Sequence, residues 1–289
     1  MRILIVTETL AIGGAESFCV RLANALAVDH EVTIAVLHGE IVNPALVARI
    51  SEGVAVERLM LPAKRWLFRG DSLLRQMGVD RSPLRAIQRR WLSRIARRFG
   101  PTIIHSHLLK ADMAAAEVCS DNRGVRHVIT LHGDYAPFLS GQSDPQMLGI
   151  RRRVASVIGR ADGIAAICRE QLDFVAREFP AATARTRMIY NGYVPWRRKP
   201  GGTVSIDDAL TFGMVSRGVE RKGWGKAIAA FAILPPGAAR LVLVGDGPAI
   251  DRLRLETVPE GVEFAGFSAD PVEWIEGFDV GLLPSEFPH

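Results

Sequence analysis

Short runs rich in Val, Ile and Leu alternate along the chain with segments whose apolar residues recur every three or four positions, and this alternation predicts parallel α/β architecture. The first run, Arg2 to Thr7, reads RILIVT. Consecutive aliphatic residues suit a strand buried on both faces, as parallel sheets between helices are. Strands of the same kind are expected over Glu31 to Leu37, Ala55 to Met60, Thr102 to His105, His127 to Leu131, Gly163 to Ile167 and Arg187 to Tyr190. A helix from Ser17 to Ala27 is expected after the first strand. A second series covers Leu210 to Ser216, Arg240 to Val244, Val262 to Ala265 and Val280 to Leu283, with helices from Trp224 to Leu234 and from Pro248 to Leu255 between.

Between the two series, Val194-Pro195-Trp196-Arg197-Arg198-Lys199-Pro200-Gly201-Gly202 combines proline, glycine and charge without apolar periodicity, which marks a linker. The organisation read from the pattern is therefore a first domain over residues 1–193, a linker over 194–206 and a second domain over 207–289. A doubly wound domain has about six strands. The second series reaches only its fourth before Glu286, so the second domain is expected to be incomplete.

Length and composition narrow the classes. A chain of 289 residues, 48% hydrophobic, can bury a sizeable core and suits about two domains rather than a disordered chain. Cys19, Cys119 and Cys168 are scattered, with neither a CxxC pair nor metal-ligand spacing, and read as reduced, mostly buried thiols of a cytoplasmic protein. No run of about 18 apolar residues occurs, and the aliphatic N-terminal run stops before Glu8, so no membrane span or leader is expected. The net charge of +5 is unevenly placed: residues 62–99 hold eleven Lys or Arg against two Asp. These cations, from Lys64 to Arg98, interleave with Trp66, Phe68, Leu84, Ile87, Trp91, Leu92, Ile95 and Phe99. Two readings fit: amphipathic segments for an anionic membrane surface, or ordinary helices with a solvated basic face. Nucleic acid is disfavoured, because no recognised nucleic-acid module accompanies the charge.

The candidate chemistry lies where strands give way to helices. Arg217 ends the run Leu210 to Ser216, and Lys222-Gly223 follows just before the helix expected at Trp224. Two fixed cations beside the unpaired N–H groups of a helix start suit a diphosphate, each charge-assisted bond contributing roughly 1.5 to 3 kcal/mol. A solvated basic loop is the plainer alternative. Gly13-Gly14 opens the first helix and admits close approach of a ligand, or simply makes a tight strand-to-helix turn. The pattern is not GxGxxG, which argues against a nicotinamide or flavin dinucleotide.

His132 closes the strand His127 to Leu131 at the carboxyl edge, placed to hydrogen-bond a substrate hydroxyl or to serve structure alone. His105 and His107 share a strand face, but no third ligand stands at a telling interval, so no metal is expected. Asn191-Gly192 reads as a turn accommodating positive φ, and Gly245-Asp246-Gly247-Pro248 as turn chemistry with proline in the first helical turn. GxSxG, GxxxxGK[ST] and HExxH motifs are absent.

In order, Gly13-Gly14-Ala15-Glu16, Ile104-His105-Ser106-His107, Thr130-Leu131-His132-Gly133, Asn191-Gly192, Arg217 with Lys222-Gly223, Gly245-Asp246-Gly247-Pro248, Phe264-Ala265-Gly266 and Leu283-Pro284-Ser285 resemble the family-4 retaining glycosyltransferases over essentially the whole chain. The resemblance implies the GT-B fold, two Rossmann-like domains facing a cleft, with the acceptor on the N-terminal domain and a nucleoside-diphosphate sugar on the C-terminal one. It implies no metal or other cofactor. Arg217 and Lys222 would hold the donor diphosphate, Gly13 and Gly14 would approach the phosphates or acceptor, His132 would contact the transferred sugar, and Phe267 would meet the nucleobase. The implied reaction is sugar transfer to a saccharide or lipid-linked acceptor in cell-surface polysaccharide or glycolipid synthesis, at the inner face of a membrane. The family carries two glutamates seven residues apart beyond the Leu-Pro-Ser strand, whereas here Glu286 is the one acid that follows it. A sugar-nucleotide epimerase and a non-catalytic nucleotide-binding fragment are the alternatives.

Overall fold

The structure is a computed structural model and describes residues 1–61, 82–122, 124–140, 145–192, 209–268 and 270–286. It forms two compact units, Met1–Gly192 and Tyr193–His289. The expected linker and the cations Lys64, Arg65, Arg69, Arg75 and Arg81 lie outside the described residues.

The first unit is a parallel sheet of β1 (Arg2–Thr7), β2 (Glu31–Val36), β3 (Val54–Arg58), β4 (Ile103–His107), β5 (Arg126–Leu131), β6 (Gly163–Ala166) and β7 (Thr186–Met188), in the order β3-β2-β1-β4-β5-β6-β7. Every strand read from the sequence forms, with ends displaced by one or two residues. The helices are α1 (Gly14–Leu26), α2 (Pro44–Val47), α3 (Pro83–Phe99), α4 (Leu109–Ser120), α5 (Pro137–Ser140), α6 (Pro145–Arg160) and α7 (Arg169–Glu178). Alternate residues of β1 face opposite layers: Ile3 and Ile5 pack with Cys19, Val20 and Ala23 of α1, and Leu4 and Val6 with Leu92 and Ile95 of α3. Apolar content at every position, rather than at every second one, is what a sheet covered on both faces requires.

α3 carries the described half of the basic stretch. Ser82 caps it, accepting from the Arg85 N–H at 3.1 Å, and Gly100 ends it at φ +64°. Leu84, Gln88, Leu92, Ile95 and Ala96 are buried, so the apolar stripe of this helix is used by the core. Its arginines remain outside.

The second unit holds β8 (Leu210–Val215), β9 (Ala239–Val244), β10 (Val262–Gly266) and β11 (Val280–Gly281), parallel and ordered β10-β9-β8-β11, with α8 (Trp224–Phe231), α9 (Pro248–Leu253) and α10 (Pro271–Glu276). Met214, Trp224, Ile228, Leu241, Leu243, Ile250 and Leu253 form its core. In each unit the strand order reverses beside the first strand, between β1 and β4 and between β8 and β11. Loops leaving such a pair run to opposite faces and open a crevice at the carboxyl edge, where open α/β sheets bind ligands.

Two expectations are corrected. Helix α1 begins at Gly14, three residues earlier than expected, because Gly13 is itself the extended N-cap. Neither Asn191 nor Gly192 has positive φ. A hairpin demands that conformation, but β7 is an edge strand and the next described strand belongs to the other sheet.

Candidate active site

The carboxyl edge of the second sheet is built from loops in backbone contact. The Gly218 N–H donates to the Asp246 carbonyl at 2.8 Å, and the Ala249 N–H to the Gly218 carbonyl at 2.9 Å. Gly245 and Gly247 sit at φ +148° and +142°, and a Cβ on Gly218, Gly245 or Gly247 would collide with the facing backbone. The Gly245-to-Pro248 segment is therefore turn chemistry, as expected, and also the wall against which the Arg217 loop is held.

Trp224, 1% exposed, donates its indole N–H to the Arg217 carbonyl at 2.9 Å, fastening the loop after β8 to the first residue of α8. A 3-10 turn, Glu220–Lys222, brings in Lys222, and Gly223 at φ +78° hands the chain to α8, whose start no side chain caps. Neighbouring cations are engaged: Arg252 with Glu220 at 2.7 Å, Lys226 with Glu286 at 2.8 Å, Arg254 with Asp246 at 3.3 Å. Among the described residues Arg217 and Lys222 have no such carboxylate. Two uncompensated cations thus stand at an uncapped positive helix end. Phe267 lies on the loop after β10 and is 56% exposed. Its N–H donates to the Asp246 carboxylate at 2.9 Å, so Asp246 ties the loop after β9 to the loop after β10.

At the edge of the first sheet, Gly13 is extended at φ −171°, which any residue adopts, and its smallness instead makes room for Glu16. That carboxylate folds back over the start of α1 and accepts from the Thr9 hydroxyl at 2.9 Å. Glu8 accepts from the Lys110 N–H at 3.0 Å at the head of α4. The starts of α1 and α4 thus each carry an internal anion.

His132 does not stand alone. Its Nε2 meets Nδ1 of His107 at 2.9 Å, and Phe18 of α1 packs edge-on against both rings at 5.1 and 5.7 Å. The His105 ring lies 4.3 Å from that of His107 and its Nε2 meets the Thr130 hydroxyl at 2.8 Å. Burial depresses these imidazoles: His132 to about 4, His105 to about 3 with the neighbouring histidines adding to the effect, and His107 well below the usual value. All are neutral at physiological pH. The third imidazole absent from the local spacing comes from the residue after β5, although no group of metal-ligating side chains suited to an ion forms among the described residues. On the opposite face of β4, Ser106 donates to Asp112 at 2.7 Å, contacts His127 Nε2 at 2.9 Å, and Tyr135 donates to the second Asp112 oxygen at 2.7 Å. Burial lifts Asp112 to about 7 against those two hydrogen bonds.

His132, Arg217, Lys222, Gly13, Gly14 and Phe267 are the candidates visible in the sequence; their neighbours His107, Glu16, Trp224 and Asp246 are not marked as such there. The available signal for His107 was its place at the end of the strand preceding that of His132.

The family model described as Glycosyltransferase Family 4 matches residues 12–197, well over half of the chain. The chain belongs to glycosyltransferase family 4. No curated protein matches it in sequence. Among solved structures, it is similar to HepE of Anabaena in complex with UDP, with 21% identity and a TM-score of 0.66 over 100% of this chain and 75% of that one. It is also similar to sucrose-phosphate synthase of Thermosynechococcus elongatus (16% identity, TM-score 0.66, 99% and 76% covered) and to the catalytic domain of Arabidopsis thaliana starch synthase IV bound to ADP and acarbose (14%, 0.64, 99% and 78%). The fold of this glycosyltransferase is the GT-B fold, built from Rossmann-like parallel sheets.

Proposed function

We propose that this family-4 enzyme transfers a sugar from a nucleoside-diphosphate sugar to a saccharide or lipid-linked acceptor with retention of anomeric configuration. The observation that carries the reading is the pair Arg217 and Lys222, uncompensated by carboxylates at the switch point of the second sheet, while the cations around them are neutralised. As the glycosidic bond breaks, its electron pair leaves with the diphosphate, and cations already in place favour that charge in the transition state. Phe267 is assigned to the base and His132 to the transferred sugar, where a neutral imidazole suits a hydroxyl. The carboxylates of Glu8 and Glu16 favour sugar hydroxyls over phosphate beside Gly13 and Gly14. The similar structures with UDP and with ADP and acarbose support a nucleotide donor. No metal is assigned a role.

Docking to an anionic lipid surface is part of the reading. A groove of about 480 Å³ on α3 is lined by Arg89, Arg90, Arg94, Arg97 and Asp121 over the small residues Ala86 and Ser93; Arg89 pairs with Asp121 at 2.7 Å, which leaves the attraction to Arg90, Arg94 and Arg97. With the apolar stripe of the helix buried, attraction is electrostatic and falls with salt.

The deciding experiment is product analysis with a panel of sugar nucleotides for wild type, Arg217→Ala and Lys222→Ala. Transfer by wild type and a loss of at least tenfold in kcat/KM in each variant are expected, one charge-assisted bond amounting to about 1.5 kcal/mol or more. Undiminished turnover in both variants removes the clamp, and epimer without glycoside removes the transferase reading. Sedimentation with vesicles containing anionic lipid should fall on Arg90→Ala/Arg94→Ala/Arg97→Ala substitution; equal sedimentation with neutral vesicles refutes the docking.

A further inference from the structure

His107 ends β4 and His132 directly follows its parallel neighbour β5, and the hydrogen bond between them holds one proton for two nitrogens. Two arrangements satisfy it. Either His107 donates from Nδ1 to Nε2 of His132, or His132 donates from Nε2 to Nδ1 of His107. The other nitrogen of His107 decides between them. Its ring is fully buried and Nε2 has no partner among the described residues. In the second arrangement that nitrogen carries a buried N–H without an acceptor, whereas in the first it carries only an unused lone pair; orphaned buried donors are the rarer and costlier of the two. The geometry around the pair allows no easy escape. Phe18 packs edge-on to both rings, the His105 ring lies against His107 at 4.3 Å, and the next residue, Leu108, sits at φ +75°, the sole positive φ outside glycine among the described residues.

We propose that His107 is a positioning residue that fixes His132 in its Nδ1–H tautomer, so that the ring presents a donor, not an acceptor, to the sugar. The ring of His132 is then oriented by a neutral contact that survives across the working pH range, since burial keeps both imidazoles uncharged. A donor at this point suits a sugar hydroxyl oxygen whose own proton is bonded elsewhere. The proposal rests on the reading that His132 meets the transferred sugar.

The primary test needs no substrate. Long-range proton–nitrogen correlation spectra of histidine-labelled protein, with its seven histidines assigned by substitution, report which ring nitrogen carries the proton. For the wild type, protonated Nδ1 and bare Nε2 are expected at both His107 and His132; a protonated Nε2 at His132 overturns the proposal. His107→Asn keeps an N–H near the place of Nδ1, and His107→Gln does not. The Gln variant should show mixed tautomers at His132 and a kcat about tenfold lower with donor KM within about twofold, the size of one ordinary hydrogen bond, and the Asn variant should recover most of the loss. Unchanged kcat and an unchanged His132 tautomer in the Gln variant overturn the positioning role. A fully active His132→Ala enzyme would refute the sugar contact itself, and with it the catalytic half of the proposal; an inactive one with the wrong wild-type tautomer refutes only the proposal.

Discussion

Two glycines in Lys222-Gly223-Trp224-Gly225 should respond to alanine with opposite signs. Gly223 sits at φ +78°, and a Cβ there would overlap the Pro284 carbonyl oxygen of the segment after β11. The left-handed conformation costs an L-residue roughly 1 to 2 kcal/mol. Forcing the Pro284 backbone aside adds about 1 to 3 kcal/mol, as over-packing does. Gly225 lies in the first turn of α8, and a Cβ there meets no atom within 4 Å. Alanine at that position should stabilise by about 0.5 to 1 kcal/mol, because glycine gives up more backbone freedom on entering a helix. The assay is hydrogen–deuterium exchange of peptides from β8 and β9, which reads the second unit alone. At about 1.4 kcal/mol per factor of ten, Gly223→Ala should lose upward of about thirtyfold in protection, and Gly225→Ala should gain about two- to fivefold. Equal protection in Gly223→Ala and wild type, or a loss in Gly225→Ala, would refute the reasoning that backbone conformation and the Pro284 contact set the path of this loop.

Acidification should destabilise the first unit: His127 and His132 are held to about 4 and His105 to about 3, chiefly by burial, so between pH 6.5 and 4 the unfolded chain binds more protons and stability rises with pH. Asp112, lifted to about 7 by burial, works in the opposite direction between pH 3.8 and 7, so exchange protection of β4 and β5 should fall from pH 7 to 4.5 and fall more steeply in Asp112→Asn; a flat profile contradicts this. Burial pushes the Cys19 thiol far up and the Cys119 thiol to about 12, so both should resist iodoacetamide in the folded protein and react on unfolding. Rapid native labelling of Cys19, which is fully buried against β1, would show that α1 opens readily.

Much of this molecule was legible in one dimension because strand and helix formation follow local periodicity. The aliphatic runs fixed eleven strands to within one or two residues, and the glycines and proline around Asp246 announced the turn that forms there. Arg217 and Lys222 were found as candidates for the same reason: a strand end, two cations and a helix start are contiguous. What the tertiary structure alone decided was partnership. Which cations near α8 are neutralised depends on where Glu220, Asp246 and Glu286 fall around them. The stripe of α3 is buried because a sheet lies beneath it, which no count of its arginines reveals. His107 and His132, 25 residues apart, touch because β4 and β5 are parallel neighbours with their carboxyl ends aligned. Periodicity states which face a side chain takes; strand order states what it meets there, and strand order is settled by the packing of the whole unit.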